Sequence, residues 1–358
     1  MAAYFPGLEG VVGFETAICE PGPDDVDLRY RGLDVDELVG VVPWERVWSL
    51  LVDGRVGAPL PAVGAPLLPG GLQAGLAALA GAWGLRPVLD LSPDEVRTDL
   101  ARVSAAALDL VARTARQGPA VPDAVVEGWS GAAERFLARW HGEVDPVAAR
   151  ALDAYWVVAA EHGLTTSTLV ARVVASTGAD VAAALSAAVG AMSGPLHGGA
   201  PERVLAMVQE VERSGDPAAW VRAALDRGQR LMGFGHRVYR GVDPRARTLR
   251  RVALELGAPL AEVAAALEDA ALAELRERRP DRVLATNVDF WAAVLLDGAG
   301  VPGPLLPAVF SCGRTAGWSA HVLEQRRTGR LIRVGARYVG PGPRGPGHGG
   351  PGPDGGTG

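Results

Sequence analysis

Two histidines stand in glycine-rich surroundings that suit a ring presented to a substrate. His197 lies in Gly194-Pro195-Leu196-His197-Gly198-Gly199, directly after an apolar run, and His236 lies in Met232-Gly233-Phe234-Gly235-His236-Arg237. Flanking glycines allow positive φ and let a ligand approach the main chain closely. They also simply end helices, and for either histidine alone that plainer reading stands beside the functional one. No two of the six histidines are three or four residues apart and no cysteine lies near them, so no metal site is expected. Asn287, the only asparagine in the chain, reads as a helix N-cap in Thr286-Asn287-Val288-Asp289-Phe290-Trp291. That places Asp289 in a first turn, where the helix dipole favours an ionised carboxylate that could act as a general base. A first-turn acid is more often structural. Cys312, two residues before Arg314, has no neighbouring base and reads as inert.

Charge is lopsided around His236. Between residues 236 and 251 stand Arg237, Arg240, Arg245, Arg247, Arg250 and Arg251, against Asp243 alone. In a chain of net charge −6 this excess suits a polyanionic small molecule, because guanidinium pairs bidentately with carboxylate and phosphate. Arg247, Arg250 and Arg251 fall on a predicted helix and read as its solvated face. All 35 basic residues are arginine. The lack of lysine excludes a Schiff base, a phosphate-loop lysine and a kinase lysine. A pI near 5.6 argues against a nucleic-acid binder. Cys19 and Cys312 are isolated, so no disulfide framework is expected, as in a reducing compartment. The amino end lacks a signal-like pattern and the chain is expected to be cytoplasmic. Val181 to Pro201, its longest uncharged stretch, is too weakly apolar for a membrane span and reads as a buried helix.

These side chains must be positioned by regular elements, and the patterning is mostly helical. Short β-prone pieces, Val11–Phe14 and Leu28–Tyr30, are broken by Pro21-Gly22-Pro23 and Gly32 and read as hairpin strands. The Asp34 side chain can cap a helix beginning just after it. Residues 54–71 are rich in Pro and Gly and read as a loop, while Asp94 to Arg116 carries Val96, Leu100, Val103, Ala107 and Val111 on one helical face. Helical segments then succeed one another from residue 145: Leu169–Val174, Val181–Met192, Val204–Val211, Trp220–Leu225, Leu249–Leu256 and Leu260–Leu275, with breaks at Gly215-Asp216-Pro217 and Gly257 to Pro259. The expected class is mostly α with a small amino-terminal β element. Gly340 to Gly358 holds ten glycines and five prolines and is expected to be disordered.

Taken in order, the motifs resemble one known family. Glu161-His162-Gly163-Leu164, Ala171 to Gly178, Gly194 to Gly199, Met232 to Tyr239 with Asp243-Pro244-Arg245-Ala246, Asn287 to Phe290 and Arg314 to Trp318 resemble citrate synthase at that family's spacing. Gly7 to Ile18 and Leu28 to Leu38 resemble it too, whereas residues 55–145 show no match. The resemblance implies a two-domain helical fold: a large domain of residues 1–198 and 300–339, a small domain of residues 199–299, and a tail of residues 340–358. It implies a homodimer that condenses acetyl-CoA with oxaloacetate, with no permanently bound cofactor, no metal, no nucleic acid and no membrane.

By the same resemblance Asp289 is the base, His197 hydrogen-bonds the enolate oxygen and His236 polarises the ketone. His162, Arg245, Arg314 and Arg333 would bind carboxylates, with Arg333 reaching across the dimer. Arg237, Arg240, Gly233 and Gly235 would contact coenzyme A. Glu161 and Thr165 stand where the family often has Asp and Asn, Pro201 where it has Asn, and Gly313 where it has Ser or Ala. No Pro comes after Arg333, which leaves Arg337 as the alternative partner-subunit ligand. A 2-methylcitrate synthase using propionyl-CoA is the near alternative, since one methylene changes binding by only about 1–3 kcal/mol. A citryl-CoA lyase is less favoured, because the chain is short and has no Gly-rich phosphate loop. A non-catalytic helical protein is disfavoured by the presence of Asp289, His197 and His236.

Overall fold

The computed structural model describes residues 4–8, 10–21, 27–66, 70–235, 241, 243–282 and 284–341. The chain divides into two compact units, residues 16–331 and residues 1–15 with 332–358. In the latter unit Pro6–Leu8 form a single 3-10 turn, and the Arg337 guanidinium lies over the Tyr4 ring at 4.7 Å. Val11–Phe14, expected as a strand, runs without a strand partner, and Val12 is 92% exposed. A β-branched residue between Gly10 and Gly13 has no neighbouring backbone to pair with, so propensity alone makes no strand. The expected disorder of the tail concerns residues that, from 342 onward, lie outside those described.

Residues 16–331 begin with a three-stranded antiparallel sheet, β1 (Cys19–Pro21), β2 (Leu28–Tyr30) and β3 (Leu33–Asp34), in that order. Among the described residues the regular elements after it are helical, apart from one isolated bridge between Phe234 and Thr286: α1 (Val35–Leu38), α2 (Trp44–Asp53), α3 (Gly71–Trp83), α4 (Pro93–Ala115), α5 (Asp123–Glu127), α6 (Ala132–His141), α7 (Pro146–Ala159) and α8 (Thr166–Ser176). Then come α9 (Val181–Met192), α10 (Ala200–Ser214), α11 (Pro217–Asp226), α12 (Pro244–Glu255), α13 (Ala261–Arg278), α14 (Val288–Gly298) and α15 (Leu306–Thr328). The class is the expected one, mostly α with a small amino-terminal sheet. No described helix is long and apolar enough to cross a membrane.

Local chemistry starts these helices. Asp145-Pro146, Asp216-Pro217 and Asp243-Pro244 each open one, the Asp carboxylate accepting a first-turn N–H and the Pro supplying a preset φ where no N–H is needed. Ser92 and Glu95 form a capping box at α4. The Val181–Met192 and Leu260–Leu275 expectations match α9 and most of α13. α10 to α14 pack largely on one another, and Glu268 ties three of them. Its carboxylate accepts from Thr286 Oγ1, from Trp291 Nε1 at 3.1 Å and from Arg250 Nε at 3.1 Å. Arg250 is thus not simply part of a solvated face, whereas Arg251 is exposed and pairs with Asp36 and Glu255.

α15 is the axis of the large helical assembly. Val309 to Leu323 are buried without interruption, which erases the periodicity that marks surface helices and explains why α15 does not stand out in the amino-acid pattern. Two tryptophans set its register: Trp156 Nε1 donates to Val309 O at 2.9 Å and Trp44 Nε1 to Gly313 O at 3.1 Å. Both free thiols, Cys19 and Cys312, are buried, and burial pushes each well above the ordinary cysteine range.

Tyr30 connects the sheet to the carboxyl end of α7. Its buried hydroxyl accepts from Glu161 N at 3.1 Å and lies 3.0–3.1 Å from the carbonyls of Val157, Val158 and Glu161. Tyr30→Phe should leave a buried N–H unpaired and cost about 1–3 kcal/mol, read as a lowered urea midpoint with unchanged slope.

Candidate active site

The last carbonyls of a helix lack intrahelical partners and must be satisfied from outside. At the end of α7, α15 does this. Arg314 Nε donates to Ala159 O at 2.6 Å, Gly317 N donates to Ala160 O at 3.0 Å, and His321 Nε2 lies 3.2 Å from Glu161 Oε1. Residues 314, 317 and 321 share one helical face, which is why one helix can meet three consecutive residues of another. A Cβ on Gly317 would lie 2.0 Å from Glu161 Oε2 and 2.5 Å from Ala160 O, so only glycine fits.

Arg314 is 1% exposed, and its guanidinium carbon lies 4.9 Å from the centre of the Phe310 ring. Its Nη1 has no hydrogen-bond partner among the described residues. Burial holds this guanidinium below its ordinary pKa, while the Glu161 carboxylate opposes that effect. A buried cation with an open donor is costly unless an anion meets it. Phe310 also faces the His197 ring, with centroids 6.4 Å apart, so Arg314 and His197 flank the same aromatic.

Arg245 sits in the first turn of α12. Asp243 caps that helix through Arg245 N at 3.0 Å and grips the guanidinium at Nε (3.0 Å) and Nη2 (2.9 Å). The other duty of Asp243 is to accept from Val288 N at 3.0 Å, binding the start of α14 to the start of α12. Asn287 caps α14 as expected, accepting from Asp289 N at 3.1 Å. Gly233 and Gly235, both at positive φ, hold that cap: Asn287 N donates to Gly233 O and Asn287 Nδ2 to Gly235 O, each at 2.9 Å.

Asp289 is partly buried, and its carboxyl is pushed up to about 6. Burial is the main cause and Asp243 adds to it, while Arg245 and Arg314 pull the other way. The expectation that the helix dipole would favour the ionised form is overridden, because desolvation outweighs a dipole contribution of about 0.3–1 kcal/mol. His197 moves in the opposite sense, down to about 4, through burial and then the nearby Arg314 charge. It is therefore a neutral imidazole at pH 7. Ser167 Oγ lies 2.9 Å from His197 Nε2 and accepts from Trp318 Nε1 at 3.2 Å. The glycines around His197 are not left-handed. Instead Gly198 allows close packing, since a Cβ there would lie 2.5 Å from Met192 O.

Asp289, Arg245, Arg314 and His197 thus converge, linked by mutual electrostatics and by Phe310. His162 is half-buried in the turn between α7 and α8, next to Glu161. Arg333 and Arg337 belong to the other compact unit, where both are exposed in chain without regular structure. His236, Arg237 and Arg240 lie outside the described residues. Sequence reasoning missed Ser167, Trp318, His321 and the clamp formed by Asp243. A usable signal existed for His321, which stands two helical turns beyond Arg314. None existed for Ser167, whose partners are 30 and 151 residues away.

The arrangement brings together a carboxyl of raised pKa, a neutral imidazole and two buried guanidinium groups. Among the described residues no group of His, Cys, Asp and Glu could hold a metal ion. Comparison with known proteins agrees with the motifs. The profile of the family described as citrate synthase, C-terminal domain, matches residues 71–335, so most of the 55–145 stretch, which shows no motif match, falls within the family after all. A Mycobacterium tuberculosis protein named "Putative citrate synthase 2" is 58% identical over 351 residues, covering 95% of this chain and 94% of that protein. A 2-methylcitrate synthase of Shewanella oneidensis is 31% identical, covering 94% and 95%. Citrate synthase from Thermoplasma acidophilum, solved as a ternary complex with carboxymethyl coenzyme A and oxaloacetate, superposes with a TM-score of 0.78 at 25% identity, covering 95% of this chain and 97% of that one. With its helical fold, this chain belongs to the citrate synthase family of condensing acyltransferases.

Proposed function

We propose that the chain condenses acetyl-CoA with oxaloacetate to citrate and coenzyme A. The observation that carries this reading is the pairing of a buried guanidinium edge, Arg314 Nη1, with a carboxyl of raised pKa, Asp289, in one electrostatic neighbourhood. Asp289 removes a proton from the acetyl methyl carbon, and that C–H electron pair becomes the enolate. His197 donates a hydrogen bond to the enolate oxygen. Ser167 Oγ accepts from Trp318 Nε1, lies 3.4 Å from Thr165 Oγ1, and in this reading directs its own proton to His197 Nε2, which leaves the imidazole proton on Nδ1 for the substrate. The enolate carbon attacks the oxaloacetate ketone, whose oxygen takes up a proton supplied by His236. Water then cleaves the thioester of citryl-CoA.

Arg245, Arg314 and His162 bind the carboxylates, joined by Arg333 of a second copy in a homodimer. Arg237 and Arg240, with the Gly233 and Gly235 backbone, contact coenzyme A. No permanent cofactor is required, and the enzyme works in the cytoplasm. A two-lobe division with residues 199–299 as the smaller lobe is part of the same proposal.

Ser167→Ala should lower kcat about tenfold, the equivalent of one hydrogen bond of roughly 1–1.5 kcal/mol, with KM for oxaloacetate little changed in steady-state assays. Coenzyme A release measured with oxaloacetate and each acyl-CoA tests the substrate. A kcat/KM for propionyl-CoA well above that for acetyl-CoA would favour the second reading, 2-methylcitrate synthesis, which the Shewanella relative keeps in view.

A further inference from the structure

Beneath Arg314 runs a buried polar chain that the proposed chemistry does not use. Arg172, 1% exposed, donates from Nε to Gln325 Oε1 at 3.0 Å and from Nη1 to Glu324 Oε2 at 2.7 Å. Its Nη1 also lies 2.9 Å from His321 Nδ1. An arginine can only donate, so Nδ1 is the acceptor and the ring proton sits on Nε2, 3.2 Å from Glu161 Oε1. His321 and Glu161 are both fully buried. The second carboxylate oxygen, Glu161 Oε2, has no hydrogen-bond partner among the described residues, and neither has Arg314 Nη1. Two opposite buried charges on facing segments therefore each keep one bonding atom open. Ordinarily such a pair would close on itself, because an ion pair in a low-dielectric interior is strongly favoured over two separate buried ions.

We propose that His321 is a positioning residue that holds Glu161 back from Arg314, so that the guanidinium edge stays open for a substrate carboxylate. The ring is anchored on one side by Arg172, itself fixed by Glu324 and Gln325, and on the other it ties down one oxygen of Glu161. Glu161 still supplies the compensating charge that keeps Arg314 tolerable in the interior. Without the Nε2 hydrogen bond the carboxylate is free to rotate and pair with Arg314 Nη1, occupying the position a dicarboxylate needs. The inference rests on the reading of Arg314 as a substrate cation.

The test is oxaloacetate binding to the full chain by isothermal titration calorimetry, with kcat and KM measured alongside. His321→Leu should weaken binding about tenfold or more and raise KM, with kcat changed less than about threefold. His321→Gln, whose amide can accept from Arg172 and donate to Glu161, should stay within about threefold of wild type. His321→Leu combined with Glu161→Gln should regain affinity, since an uncharged amide oxygen competes for Arg314 far more weakly than a carboxylate. His321→Asn, too short to span both partners, replaces the Leu variant if circular dichroism shows that the latter does not fold. Wild-type affinity in His321→Leu, equal weakening in the Leu and Gln variants, or no recovery in the double variant would overturn the inference. Arg314→Gln separates the two levels: if it weakens binding while His321→Leu does not, only the positioning role fails. If wild type does not bind oxaloacetate, or Arg314→Gln binds as wild type does, the reading of the site fails and takes the inference with it.

Discussion

Asp289→Asn is expected to reduce coenzyme A release by about 10²- to 10⁴-fold while making the folded protein more stable at neutral pH. The loss comes from removing the proposed base, a carboxylate held near Arg245 and Arg314 at the start of α14. The gain comes from the sign of its pKa shift. Burial raises the folded-state value from 3.8 to about 6, so the fold prefers the neutral carboxyl. Wild type therefore loses stability as pH rises from about 4 through 6, and above that the full cost is present. Asparagine imitates the neutral form and escapes that cost. With allowance for partial exposure of the site, the variant should gain roughly 1–3 kcal/mol at pH 7.5 and nothing below about pH 4. Urea unfolding at the two pH values checks this. Wild-type kcat should also show an acid limb near pH 6, where the base becomes protonated. A variant that is slow and also less stable at pH 7.5 would mean that Asp289 is held ionised by its arginines.

Gly317→Ala is expected to be among the most damaging Gly→Ala changes at the described glycines. Its Cβ would lie 2.0 Å from Glu161 Oε2 and 2.5 Å from the Ala160 carbonyl oxygen. The carbonyl belongs to the backbone at the end of α7 and cannot swing aside, so α15 and α7 must separate. Overpacking of this kind costs about 3 kcal/mol or more. Because Arg314 bonds Ala159 and His321 bonds Glu161 from the same face of α15, the separation also displaces a proposed substrate cation. The expected result is a clearly lowered urea midpoint together with a raised KM for oxaloacetate. Gly329→Ala offers a control: it ends α15 at positive φ with open space around it, so it should cost only the roughly 1 kcal/mol of an unfavourable φ and leave KM unchanged.

Residues near in the chain carried much of the outcome. Capping by Asp34 and Asn287, the apolar faces of α4 and α13, and the punctuation at Gly215-Asp216-Pro217 all depend on neighbours within about four positions, and they were legible for that reason. Motif order and spacing likewise pointed to the family. By contrast α15 was hard to see, because a helix buried on every side has no polar face to create a period. Val11–Phe14 misled, since a strand exists only when another backbone pairs with it.

Amino-acid identity alone was enough to specify the mostly helical class, the family, and the types of side chain available for the chemistry: a carboxylate, histidines and arginines, with no lysine. Tertiary structure alone decided how those groups behave. Tyr30 meets Glu161 across 131 residues, His321 meets Glu161 across 160, and Asp243 meets Val288 across 45. Burial and charge neighbours come from such long-range encounters, and they set ionisation more strongly than local position does. That is why Asp289 moves up in pKa where its place in a helix would move it down, and why a glycine with no chemistry of its own, Gly317, governs where Arg314 can stand.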